Sequence, residues 1–117
     1  MTINWKKPTA MMLGRYQPFH NGHKALFKEI IRKTGQVVIM IRNTEGIDDS
    51  NPFNFETVKR NIEVSLKKYK GKFEIVKVPN ITNICYGRGV GYKIEQIKFS
   101  KEIEEISATK IRKQIEV

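Results

Sequence analysis

Ala10-Met11-Met12-Leu13-Gly14-Arg15-Tyr16-Gln17-Pro18-Phe19-His20-Asn21-Gly22-His23 is an apolar run that ends on glycine and leads into two histidines three residues apart. Unbroken apolar residues closed by glycine read as a buried strand. Asn21 is placed to cap a helix whose Leu26, Phe27, Ile30 and Ile31 form one stripe, and Gly35 stops it. Val37-Val38-Ile39-Met40-Ile41 is apolar at every position, the pattern of a central parallel strand. Beyond a polar loop from Arg42 to Pro52, Val58, Ile62, Leu66 and Tyr69 mark a second helix, capped by Asn54 and closed by Gly71. Phe73–Val78, Ile81–Tyr86 and Tyr92–Phe99 read as three more strands, and a short last helix from about Ala108 carries Ile111 and Ile115. Alternating strands and helices predict a three-layer α/β/α arrangement around a parallel five-stranded sheet, in one minimal domain over 1–117.

A chain of 117 residues can bury one hydrophobic core and hardly two. It has 22 Lys and Arg against 12 Asp and Glu, a formal charge of +10, so a polyanion is an expected partner. Nucleic acid, a nucleoside triphosphate and an acidic membrane surface all suit such a field. Lys28, Lys33, Lys59, Lys67, Lys68 and Lys70 fall on polar faces or C-terminal ends of predicted helices, where solubility and the helix dipole account for them. No apolar run approaches the length of a membrane span and no signal segment opens the chain, which sets a cytoplasmic, non-membrane expectation. The single cysteine, Cys85, offers neither a disulfide nor a zinc cluster.

Helix starts carry the sharpest argument. Their partial positive charge attracts Asp or Glu, yet the first helix opens on His23 and Lys24. The last, capped by Ser107 with Ile106 stapling onto Ile111, has Lys110 where a capping box places Glu or Gln. The middle helix behaves ordinarily, with Asn54 as cap and Glu56 in the first turn. A cation at a helix start costs from a few tenths up to about 1 kcal/mol, which a bound polyphosphate offsets. Ser107, Thr109, Lys110 and Arg112 together supply hydroxyls, an ammonium and a guanidinium for a phosphate cradle without a Walker-type loop.

His20-Asn21-Gly22-His23 and Ile106-Ser107-Ala108-Thr109-Lys110-Ile111-Arg112 resemble the two signatures of the H-x-G-H nucleotidylyltransferases. The longer Gly14-Arg15-Tyr16-Gln17-Pro18 resembles the G-R-F-Q-P of nicotinamide-mononucleotide adenylyltransferases, and Asn51-Pro52-Phe53-Asn54-Phe55-Glu56 resembles the N-P-F-T segment of their archaeal type. The resemblance implies a Rossmann-like fold and in-line attack by an acceptor phosphate on the α-phosphorus of a nucleoside triphosphate, with pyrophosphate leaving. It favours ATP as donor and nicotinamide mononucleotide as acceptor. It makes His20, His23 and Lys110 catalytic, and assigns the nucleotide to Gly14, Arg15, Tyr16, Gly22, Arg88, Ser107, Thr109 and Arg112. Arg42 is a weaker candidate for the acceptor phosphate. Magnesium is expected on phosphate oxygens, with no protein ligands. The chain is shorter than most members of that group, which leaves room for a pocket completed across a subunit interface, and so for a homo-oligomer.

Other readings stay open beside this one. A zinc site at His20 and His23 lacks further ligands, whereas capping and packing would explain both histidines without a ligand. Gly87-Arg88-Gly89-Val90-Gly91 is not a dinucleotide fingerprint, because a β-like stretch rather than a helix follows. Asp48 and Asp49 are explained by loop polarity. Trp5, Tyr16, Phe19 and Tyr92 could stack on a base or serve packing. The rival functions are a cytidylyltransferase using CTP with a phosphate or alcohol acceptor, a nucleotide-binding protein without turnover, and a nucleic-acid-binding module. The last leaves the cations at two helix starts unexplained.

Overall fold

The alternation of apolar segments builds β1 (Ala10–Gly14), α1 (Asn21–Thr34), β2 (Val37–Arg42), α2 (Phe55–Ser65), a 3-10 turn (Lys67–Tyr69), β3 (Phe73–Val78) and a short α3 (Lys101–Glu104). The computed structural model describes residues 3–43, 47–48, 51–88, 91, 93–99 and 101–104. The three strands are parallel in the order β1-β2-β3. As its unbroken apolar run predicts, β2 is the central strand: Val37 stands opposite Ala10 on one side and Phe73 on the other. The fold is thus α/β, with a helix carrying the chain from each strand to the next.

Side chains of β2 alternate, and the fully buried set Val37, Ile39 and Ile41 joins Phe27 and Ile30 of α1 with Val58, Ile62 and Leu66 of the α2 region in one core. Phe27 is wholly buried. It meets Tyr69 and Phe73 edge-on at 5.2 and 5.8 Å, and burying such a side chain contributes roughly 1.5–3 kcal/mol. Gly35, at φ 82°, ends α1 by donating to Ile31 O. The second helix starts as expected, with Asn54 Oδ1 accepting from Thr57 N at 2.9 Å and Glu56 in the first turn. Its α-helical part ends at Ser65, and the 3-10 turn carries the chain to Gly71.

Three expectations are corrected. The N-cap of α1 is His20 rather than Asn21, which is its first helical residue. Ile81–Tyr86 and the described residues 93–99 form no strands, so the described sheet has three strands rather than five. For Ile81–Tyr86 the reason is topological. A parallel neighbour needs a crossover of roughly a dozen residues, and Ile81 follows the end of β3 at Val78 almost at once. Residues 82–88 are accordingly exposed. Ser107, Thr109, Lys110, Arg112 and the last helix, with Asp49 and Tyr92, lie outside the described residues.

Candidate functional site

Beyond the C-terminal end of β1 the chain must turn sharply into α1, and open α/β sheets bind ligands at such strand ends. Tyr16 takes a positive φ of 54° and folds its ring back over Gly14. A Cβ on Gly14 would stand 2.9 Å from Tyr16 Cζ, so only glycine fits beneath the ring. Tyr16 is 3% exposed, and its hydroxyl has no hydrogen-bond partner among the described residues. Burial pushes the phenol far above its ordinary pKa, leaving it neutral. The ring meets His23 edge-on at 4.8 Å, while Phe19 stacks on His23 at 5.4 Å. Enclosed in this way, Tyr16 has no face open to a base and bears instead on His23.

The two histidines cap α1 reciprocally. Gly22 N and His23 N donate to His20 Nδ1 at 3.1 and 3.4 Å, and His20 N donates to His23 Nδ1 at 3.1 Å. Imidazoles thereby take the places that Ser or Thr and Glu or Gln hold in an ordinary capping box. A ring nitrogen that accepts carries no proton, so each neutral ring carries its proton on Nε2. The rings stack with centroids 3.7 Å apart and planes 19° from parallel. Burial, and then the neighbouring His20, push His23 down to about 3, and burial lowers His20 as well. Both are therefore neutral near pH 7, each with an Nε2–H donor.

This geometry changes what the site offers. The first-turn amides of Gly22 and His23 are taken up by His20 Nδ1, which leaves the imidazole Nε2–H groups as the side-chain donors at this helix start. The first turn of α1 holds no acidic residue, as expected, and the positive end of the helix is left without a counter-charge there. Arg15 follows β1 directly, with Nη1 3.5 Å from Asn51 Oδ1. Arg42, at the end of β2, donates from Nη1 to Ile81 O at 3.3 Å, and its Nε is buried without a partner among the described residues. Arg88 is exposed. Gln17 and Asn51, absent from the sequence-derived site, connect this loop to the segment before α2. Among the described residues no three His, Cys, Asp or Glu side chains gather as a metal site. With both Nδ1 atoms engaged, the described donor set does not fit a protein-held divalent cation.

Residues 11–72 match the cytidylyltransferase-like family. A nicotinamide-nucleotide adenylyltransferase of Methanococcus aeolicus is 34% identical over 73 residues, covering 62% of this chain and 42% of that protein. One from Methanolobus tindarius is 44% identical over 45 residues, covering 38% of this chain and 26% of the relative. The chain thus spans less than half the length of these curated relatives. Among solved structures, a bifunctional NMN adenylyltransferase/ADP ribose pyrophosphatase from Francisella tularensis, complexed with AMP and an Mn ion, superposes with a TM-score of 0.58 at 27% identity. That match covers 62% of this chain and 23% of the other.

Proposed function

Because this chain belongs to the cytidylyltransferase-like family, we propose that it transfers AMP from ATP to nicotinamide mononucleotide, forming NAD and releasing pyrophosphate. The observation that carries the reading is the stacked His20–His23 pair, held neutral with its Nε2–H groups as donors at the unbalanced N-terminus of α1. The names of the relatives support the acceptor and the donor.

The acceptor's phosphate oxygen attacks the α-phosphorus in line, the bond to the bridging oxygen breaks, and pyrophosphate carries away the electron pair. No protein nucleophile takes part. Charge grows on the α-phosphate oxygens and the bridging oxygen, where donors fixed in advance stabilise it without reorganising. His20 and His23 bond the α- and β-phosphates through Nε2–H, Gly14 lets Tyr16 brace His23, and the glycine at Gly22 lets the chain pass close to the phosphates. Arg15 takes a phosphate of the nucleotide or the acceptor, Arg42 is the weaker acceptor contact, and Arg88 is assigned to the nucleotide. Lys110, with Ser107, Thr109 and Arg112, receives the leaving pyrophosphate. The divalent cation, magnesium in this reading, enters on the triphosphate; the AMP and Mn ion of the solved relative support metal use.

The same reading includes a homo-oligomer and a three-layer arrangement in which both faces of the sheet are covered. Met11, Leu13, Val38, Met40 and Val76 share one sheet face by register, and parallel sheets bury both faces. Its setting is the cytoplasm, consistent with a single cysteine.

The test is a mass-resolved assay of purified protein with magnesium, ATP and nicotinamide mononucleotide, with CTP in parallel and His23→Ala as control. NAD formed by the unsubstituted protein alone supports the whole reading. NAD formed equally by His23→Ala refutes the role of the histidines, and absence of product with ATP refutes the nicotinamide assignment. A CTP-derived product would move the protein to cytidylyl transfer.

A further inference from the structure

The loop after β1 and the segment before α2 are tied together by side chains that the transfer reaction does not itself require. Gln17 is 7% exposed, and its amide pairs both ways with one backbone unit. Its Nε2 donates to Phe53 O at 2.9 Å, and Phe53 N donates to its Oε1 at 2.9 Å. A side-chain amide bonded in this way imitates one step of a β-ladder, fixing both the distance and the orientation of the segment it holds. Nearby, Asn51 is held by Asp48, whose Oδ1 accepts from Asn51 N at 2.7 Å and from Asn51 Nδ2 at 3.1 Å. With its N–H groups turned to Asp48, Asn51 presents Oδ1 to Arg15 Nη1 at 3.5 Å.

An arginine on a loop has many rotamers, and ordering one costs side-chain entropy. One neutral acceptor can orient the guanidinium while leaving most of its five donors, and its full charge, for a ligand. A carboxylate in the same place would neutralise it. We infer that Gln17 is a positioning residue: by clamping Phe53 it sets Asn51, and Asn51 aims Arg15 at the phosphate of the bound nucleotide or acceptor. This inference rests on the proposed nucleotidyl transfer for the identity of the ligand, but the linkage from Gln17 to Arg15 is a property of the free protein.

The experiment is a double-mutant cycle read by calorimetric titration with ATP, using Gln17→Met, which keeps length and loses both hydrogen bonds, and Arg15→Ala. Losing an oriented, charge-assisted contact weakens binding about tenfold. Gln17→Met is expected to show that loss, and the double variant is expected to bind no worse than Arg15→Ala alone, because both changes remove the same contact. Losses that multiply would overturn the inference. Asn51→Ala removes the acceptor of Arg15 together with the side-chain bonds to Asp48, and should reproduce the loss while leaving the clamp of Gln17 on Phe53 in place; full ATP affinity in that variant would also overturn the inference. Nitrogen-resolved NMR of the free protein supplies a readout without nucleotide. Gln17→Met should move the Asn51 side-chain amide and the Arg15 guanidinium signals while leaving the Asn83 amide in place. If Asn51 and Arg15 do not move, the inference fails whether or not ATP binds. If the unsubstituted protein does not bind ATP, the transfer reading falls, and the NMR result alone decides the positioning claim.

Discussion

Acidification should weaken this fold, because His23 is folded as a neutral acceptor. Its Nδ1 receives His20 N at 3.1 Å, and protonation there would set donor against donor and break the cap. Burial and the adjacent His20 bring His23 from the usual 6.5 to about 3. The unfolded chain therefore binds a proton that the folded chain refuses throughout that interval, so stability rises with pH across it. The contribution is complete above about pH 7 and is lost as pH falls through 6.5 towards 3. One proton of difference gives a slope of about 1.4 kcal/mol per pH unit, or about 2 kcal/mol between pH 6.5 and 5. For a domain of this size that loss is worth roughly 8 °C in melting temperature. His20, lowered in the same direction, adds to the slope. Glu29 and Glu95 are held below their usual values by hydrogen bonds from Arg32 and Lys33 respectively. Urea unfolding followed by circular dichroism from about pH 5 to 7.5 reads the slope. In His23→Gln the residue at that position is the one an ordinary capping box uses and does not titrate, so the slope should shrink towards the share of His20. Equal slopes in the two proteins, or none in the unsubstituted one, would refute the neutral, cap-bound histidine.

Three further outcomes follow from the same geometry. His20→Ser keeps a hydroxyl that can accept from Gly22 N or His23 N, so thermal unfolding should change by no more than about 1 kcal/mol while NAD formation falls by about a hundredfold or more; ordinary turnover would reduce His20 to a cap. Gly14→Ala sets a methyl 2.9 Å from Tyr16 Cζ and 3.0 Å from Cε1, and should cost about 1–3 kcal/mol in chemical denaturation. The shorter Tyr16→Leu background should relieve that cost, and an undiminished cost there would locate the clash elsewhere. Asn54→Ala removes the acceptor of Thr57 N and should lower stability by about 1 kcal/mol, unless melting shows no change.

The order β1-α1-β2-α2-β3 was readable in the chain because each signal is local. An apolar run makes a strand, a 3.6-residue stripe makes a helix face, and Gly35 and Asn54 act on amides a few residues away. The missing acid in the first turn of α1 was readable for the same reason. So, in principle, was the histidine cap, since His20 and His23 repeat the three-residue spacing of a capping box with imidazoles in place of the usual side chains. Asn21 looked the better cap only because of its residue type.

What the sequence by itself determined is therefore the succession of elements and the place where histidines meet a helix start. Only the tertiary structure decided how those groups are used. Ile81–Tyr86 has strand-like residues, but joining a parallel sheet depends on the crossover before it, and β3 ends too close. For Tyr16 the sequence leaves base stacking and packing both open, and its burial depends on Gly14 lying beneath its ring. The clamp from Gln17 to Phe53 spans 36 positions, a separation at which no periodicity or cap carries information. Contacts of that kind arise only when the strands have already brought two loops to the same edge of the sheet.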